Sequence, residues 1–443
     1  MMELGELSEF IVDCEHKTAP TQKIGYPSIR TPNIGRGYFI LDGVNRVSEE
    51  TYQLWTKRAV PQSGDLIMAR EAPVGNVAII PKGLKPCLGQ RTLLIRPNRS
   101  KVFPAFLNYL LNGSEIQSVI HAKTNGVTVA HLNMKDVRTL PIPELPPLPI
   151  QRRIASILSA YDELIENNQR RIRILEDMAR CLYREWFVHF RYPGHESVPL
   201  VDSPLGQIPQ GWEVKPAPDC IAINPRVSVP RDGEKPFVPM GCLSNGSMLI
   251  SDVESRSGNS GAKFQNGDTL FARITPCLEN GKTGYVQFLP DSQDVAFGST
   301  EFIVLRSRTL SPEFVYCLAR SDEFRNAAIK SMSGATGRQR VQEKCFDAFP
   351  IAQPPRELLD RFSGIVAPSF RLIYGLHHQI ENLRRTRDLL LPRLLSGQVS
   401  LATGTPPIYD KDEFKRMVEK GTQAWADVPD SAAWVETLRG NKE

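Results

Sequence analysis

No stretch of 18 consecutive apolar residues occurs in the chain, so no segment is long and apolar enough to cross a bilayer as a helix. The opening residues, MMELGELSEFIVDCEH, are acidic where a secretory leader would be basic and then apolar. No membrane association is expected, and a cytoplasmic location is. The eight cysteines contain no CxxC pair, which argues for reduced thiols and against zinc knuckles. Cys14 and His16 in DCEH have no second Cys/His pair nearby, so turn packing is favoured over a metal site. Strong charge is missing too. The net value is +5. Residues 1–150 carry 17 Lys and Arg against 13 Asp and Glu, and residues 196–350 carry 16 against 18. A nucleic-acid surface would therefore have to be a local patch.

The signatures of catalysis are also incomplete. CLENGKTG (277–284) ends like a phosphate-binding loop at Gly281, Lys282 and Thr283. That loop needs a glycine five residues before its second glycine, to turn tightly and offer N–H groups to phosphate. Pro276 stands there, with no N–H and a fixed φ. An adenine methyltransferase would show Asn-Pro-Pro-aromatic, but Asn224-Pro225-Arg226 has only the first half. Neither a glycine-rich dinucleotide loop after a strand nor an Asp plus Glu-x-Lys nuclease cluster is present. A non-catalytic chain is expected, binding no cofactor and no metal of its own. The rival readings are a stand-alone nuclease or ATPase, and a scaffold that binds protein alone.

At 443 residues the chain is too long for a single core, and it repeats itself. At a shift of about 208 residues, GDLIMAR (64–70) matches GDTLFAR (267–273), and Pro73 matches Pro276. RTLLIRPNR (91–99) matches TEFIVLRSR (300–308), FPAFLNYLL (103–111) matches SPEFVYCLA (311–319), and TLPIPELPP (139–147) matches AFPIAQPPR (348–356). CLENGKTG takes the place of VGNVA (74–78) in the first copy, which predicts a turn between two strands.

After each proline-rich stretch the apolar period changes from strand-like to helical. The first seam is Ile154, Leu158, Tyr161, Ile165, Asn168, Ile172, Leu175, Ala179, Leu182 and Trp186. The second is Phe362, Val366, Ser369, Ile373, Leu376, Ile380, Leu383, Arg387, Leu390 and Leu394. Alternating steps of four and three mark a heptad seam. Each helix of about 34 residues would reach about 50 Å. Pro392 is expected to kink or stop the second near Leu391, and Asn168 to face apolar positions such as Leu376. The expected class is α+β: two globular units joined by two long antiparallel coiled-coil helices with a pseudo-two-fold internal repeat. The boundaries are a first unit over 1–145, a helix over 146–196, a second unit over 197–350, a helix over 351–400 and an extension over 401–443. That extension holds a short amphipathic helix over 410–428.

QRRIASILSAYDELIENNQRRIRILEDMARCLYREWF (151–187) followed by SPLGQIPQGWEV (203–214) resembles the specificity subunit of type I restriction–modification enzymes. The resemblance covers residues 1 to about 400. It implies two target recognition domains, each reading one half of a split double-stranded DNA sequence, and a helical spacer that sets the gap. It also implies prokaryotic partners: adenine-N6 methyltransferase subunits and, through them, motor and endonuclease subunits. S-adenosylmethionine, ATP and Mg would belong to those partners.

Base and phosphate contacts need Arg, Lys, Asn, Gln or hydroxyl side chains in polar loops. The first unit offers Lys17, Lys23, Arg30, Asn33 and Arg36 within 16–39, and Lys123, Thr124 and Asn125 within 121–131. The counterpart of the second loop, SGATGRQRVQEK (333–344), offers Arg338, Gln339 and Arg340. The two matched loops share a place but differ in sequence, as a variable reading head on a fixed frame would.

Overall fold

The computed structural model describes residues 1–124, 131–291, 294–335, 337–396 and 398–399. Asn125 and the helix expected over 410–428 lie outside the described residues. The protein is α+β, and its described residues form two compact units. One comprises Met1–Ile165 with residues from Glu381 onward, the other Glu166–Ile380.

In the first unit, Ser8–Asp13, Thr92–Pro97, Leu66–Ala69 and Val77–Ile79 form an antiparallel sheet in that order. Every residue of Leu66–Ala69 is buried, as in a sheet covered on both faces. The two-residue period of a strand divides these side chains between two cores. Leu66, Met68, Leu93 and Ile95 join Leu4, Leu7 and the Pro104–Asn112 helix. Ile67, Ala69, Ala78 and Leu94 join Ile29 and Ile34 on the other face. A smaller sheet of Arg46–Val47, Tyr26–Ile29 and Cys87–Leu88 packs nearby.

The second unit repeats this plan. Ile221–Ile223, Phe302–Ser307, Thr269–Ala272 and Thr283–Tyr285 form the matching antiparallel sheet. Its second sheet, Glu254–Arg256, Lys235–Val238, Val295–Gly298 and Ala262–Gln265, has one strand more. The repeat is physical at the shared Gly-Asp. Gly64 and Gly267 adopt φ +91° and +87°, open to glycine at little cost. The following carboxylates then turn back. Asp65 accepts from Gln62 N at 2.9 Å and from Arg96 at 2.7 and 3.0 Å. Asp268 accepts from Gln265 N at 2.9 Å and from Arg306 at 2.6 and 2.7 Å. Both Ala72–Pro73 and Thr275–Pro276 are cis.

CLENGKTG connects Thr269–Ala272 to its hairpin partner Thr283–Tyr285. Lys282 donates its Nζ to the Met240 carbonyl at 3.0 Å, and Thr283 is fully buried. The stretch is a turn whose lysine is used by the fold.

Two long helices, Leu148–Tyr183 (36 residues) and Arg356–Leu395 (40 residues), follow the proline-rich stretches. The first continues into a π-helical turn, Arg184–Val188. In the first unit, Ile154 and Leu158 share a core with Leu391 and Leu394, and Asp162 pairs with Arg387 while accepting from the Tyr109 hydroxyl at 2.5 Å. In the second unit, Phe362 packs on Trp186 and Phe187 with ring centroids 6.2 and 5.0 Å apart. Ile165, Ile172, Leu175, Leu182, Val366, Ile373, Leu376 and Ile380 are buried, whereas Tyr161, Leu383 and Leu390 are half-buried.

Two details depart from the expectation. Asn168 does not face apolar positions alone: its Nδ2 donates to Gln379 Oε1 at 3.3 Å, because a buried amide loses too much free energy without a partner. Pro392 does not end the helix, which runs on past Leu391 to Leu395. Its missing N–H affects only the last turn, which Leu391 and Leu394 hold in the first core. Pro368 lies well inside the same helix, where the carbonyl it strands belongs to exposed Gly364.

Glu176, on the first long helix, is 6% exposed and accepts from Ser247 Oγ at 2.6 Å and Met248 N at 2.7 Å. Burial pushes its pKa above the usual glutamate range, against the opposing effect of those two bonds. The folded carboxyl thus keeps its proton to higher pH than the unfolded one. Its contribution is full below the ordinary glutamate pKa and is lost as pH rises through the folded value. In denaturant titrations from about pH 4 to 7, wild type is expected to lose stability in the second unit relative to Glu176→Gln. Parallel pH profiles would show that the buried carboxyl is not responsible.

Candidate nucleic-acid interface

The central hairpin strand of each unit ends in an arginine, Arg70 or Arg273, and polar residues gather there. In the first unit Arg70 is buried. Its Nη1 reaches Asp13 at 2.5 Å, its Nε donates to the Leu132 carbonyl at 2.9 Å, and its Nη2 lies 3.0 Å from His131 Nε2. An arginine has donors only, so Nε2 of His131 accepts and its Nδ1 donates to Glu71 at 2.9 Å. Glu71 in turn holds Arg91 Nε at 2.8 Å. In the second unit Arg273 pairs with Glu343 at 2.9 Å, and Arg340 binds Glu301 through Nε and Nη2. One frame thus carries two different charged arrangements.

Lys17, Lys23, Arg30 and Arg36 are exposed. Asn33 is half-buried and shapes its own loop, accepting from Arg30 N at 3.1 Å and donating to the Ile40 carbonyl at 3.2 Å. Arg36 lines a cavity with Tyr109, Asn112, Leu158 and Arg387. Lys123 is half-buried, and Thr124 donates its hydroxyl to the His121 carbonyl at 2.7 Å. Cys14 is buried, which pushes its thiol pKa up, and His16 lies against Asp13 at 3.2 Å.

The structure brings Arg338, Gln339 and Arg340 together beside Arg273. Gln339 N donates to Thr275 Oγ1 at 3.1 Å, and Val341 N to the Arg273 carbonyl at 2.9 Å. Arg338 is exposed and has no ion-pair partner among the described residues. An open groove in the same unit is lined by Asn224, Arg226, Lys263, Arg273, Thr300 and Phe302. Arg226 and Lys263 likewise have no ion-pair partner among the described residues. At Arg226 and Lys263 such a groove offers phosphate oxygens donors that no carboxylate among the described residues holds.

Sequence reasoning missed Arg226, Lys263 and Arg91. Asn224 and Arg91 adopt φ +48° and +64°, and asparagine before a proline was the one local signal of a bend there. Nothing in the spacing marked Arg91.

Comparison with known proteins follows the same lines. Residues 1–177 match the family model for the type I restriction modification DNA specificity domain. The type I restriction enzyme MjaIX specificity subunit of Methanocaldococcus jannaschii is 25% identical, covering 82% of this chain and 83% of that protein. The EcoEI specificity subunit of Escherichia coli is 32% identical over 39% of this chain and 30% of its own length. The crystal structure of a type I restriction–modification S subunit from M. genitalium shares the fold, with a TM-score of 0.50 at 14% identity, covering 89% of this chain and 95% of that one. Residues 1–177 thus match a type I restriction modification DNA specificity domain, and over most of its length the chain is similar to specificity subunits of type I restriction–modification systems.

Proposed function

We propose that this chain reads an asymmetric, bipartite DNA target, one half with each unit. On the same reading it scaffolds methyltransferase subunits and, through them, motor and nuclease subunits. The observation that carries this is the pairing of a shared frame with unlike charged rims. Both units build the same Gly-Asp turn and four-stranded sheet, yet Asp13, Arg70, His131, Glu71 and Arg91 stand where the other has Arg273, Glu343, Arg340 and Glu301. A homodimeric reader would present the same rim twice and require a palindrome.

The two long helices serve as the spacer in this proposal. At 1.5 Å per residue, helices of 36 and 40 residues are about 54 and 60 Å long. One turn of DNA is about 34 Å, so each helix is longer than one turn. The DNA contacts fall to Lys17, Lys23, Arg30, Arg36 and Lys123 in the first unit, and to Arg338, Arg340, Arg226 and Lys263 in the second. Catalysis, with S-adenosylmethionine, ATP and Mg, belongs to the partners.

Single-molecule methylation mapping in cells expressing this chain with its cognate methyltransferase subunit tests the proposal. A split, asymmetric motif with N6-methyladenine in each half is the expected result. A palindromic or unsplit motif would overturn it. ATP hydrolysis or DNA cleavage by the purified chain alone would instead revive a stand-alone enzyme.

A further inference from the structure

We propose that Arg340 in the second unit and Arg91 in the first are guanine-reading arginines, each held rigid by a carboxylate of its own frame. The inference rests on the proposed DNA-reading role of the units and adds which side chains read, and which base. Backbone bonds establish the equivalent positions. Leu132 N donates to the Arg70 carbonyl at 3.0 Å, and Val341 N to the Arg273 carbonyl at 2.9 Å, so His131 and Arg340 share a place. Gly89 N donates to the Ile29 carbonyl at 2.8 Å, and Ser299 N to the Val238 carbonyl at 2.9 Å, so Arg91 and Glu301 share another. At this one point of the frame the first unit places its arginine where the second places its acid. Each unit ends with one buttressed arginine at the foot of its variable loop.

The geometry of the buttress leaves the reading edge free. Glu301 takes Arg340 side-on, through Nε at 3.0 Å and Nη2 at 2.6 Å. Nη1 has no acceptor among the described residues, and the side chain is 50% exposed. What remains is the end-on edge, two parallel N–H donors whose spacing matches guanine O6 and N7 in the major groove. Arg91 is held through one nitrogen: its Nε lies 2.8 Å from Glu71, which His131 meets at 2.9 Å, and the side chain is 62% exposed. A long side chain already fixed in one rotamer loses less entropy on binding than a free surface arginine. Arg226 and Lys263, which line the groove with Arg273, have no such buttress and suit phosphate contact, which positions without specifying.

Methylation mapping with the assembled complex tests this, comparing wild type with Arg340→Lys, Arg340→Ala, Glu301→Gln, Arg91→Ala and Lys263→Ala. Arg340→Lys keeps a cation for Glu301 but loses the fork, so it reads the contact even where Arg340→Ala disturbs the loop. The Arg340 variants are expected to relax one G·C position in one half-site, with discrimination there falling about 5- to 150-fold. Glu301→Gln should relax the same position less. Arg91→Ala should relax one position in the other half, and Lys263→Ala should lower methylation at every site with the motif unchanged. Full discrimination in Arg340→Lys and Arg91→Ala would overturn the proposal, as would a wild-type motif with no G·C pair in either half. Uniform loss across both halves would mark the two pairs as fold clamps and overturn it as well. A wild-type complex with no split motif sinks the bipartite role itself, and does so before any variant is made.

Discussion

Replacing Asp268 by alanine is expected to destabilise the second unit by about 3–5 kcal/mol, the usual penalty for removing one partner of a buried ion pair. Its side chain is 1% exposed and receives two bonds from Arg306 and one from Gln265 N. Alanine leaves the guanidinium with neither water nor carboxylate on that side, and leaves a turn N–H unpaired. Hydrogen exchange should report the damage locally, as lost protection in Thr269–Ala272 and Phe302–Ser307. Asp268→Asn retains an acceptor for Gln265 N and should fall between. Asp65→Ala should do the same to Leu66–Ala69 and Thr92–Pro97, since Asp65 holds Arg96 in the same way. Unchanged protection in those strands would show that the repeated Gly-Asp turn is held by its glycine alone.

Phe362→Ala is expected to remove about 3–5 kcal/mol from the second unit, as for other buried phenylalanines truncated to alanine. Phe362 is fully buried, and Trp186 and Phe187 close on it from the first long helix. Those rings are anchored in turn, Phe187 against Phe314 at 4.7 Å and against Trp212 at 6.0 Å. Neighbours so constrained cannot collapse into the space left, so the cavity term adds to the lost transfer energy. Phe362→Leu, which refills most of the volume, should cost clearly less. The denaturation midpoint of the two variants measures this; equal midpoints would mean the node is loosely packed.

The helical seams show how far spacing alone reaches. Ile154, Leu158, Ile172, Leu175, Phe362, Val366 and Ile373 are buried where a period of three and four places them, because the face of a helix is a local property. The partner of Asn168 was not legible. Gln379 lies off the second seam, and only the rotation and register of one helix against the other bring it within 3.3 Å. Pro392 misled for a related reason: a proline penalty is local and modest in a last turn, and the burial of Leu391 and Leu394 outweighs it.

The candidate interface divides in the same way. The matched loops 121–131 and 333–344 were visible as like-placed, unlike sequences within a repeat, and their glycines and polar side chains marked them as surface. Which of their arginines are free was not visible. Arg340 and Glu301 are 39 residues apart, and Glu71 meets Arg91 and His131 from separate segments. The basic groove joins Arg226, Lys263 and Arg273 from three strands' ends. By itself the sequence determined the repeated sheet motif and the helix faces, since each follows from residue type at fixed short spacing. Tertiary structure decided which cations are held by carboxylates and which remain open to a ligand, because ion pairing depends on which strand ends the sheet order brings within about 3 Å of one another.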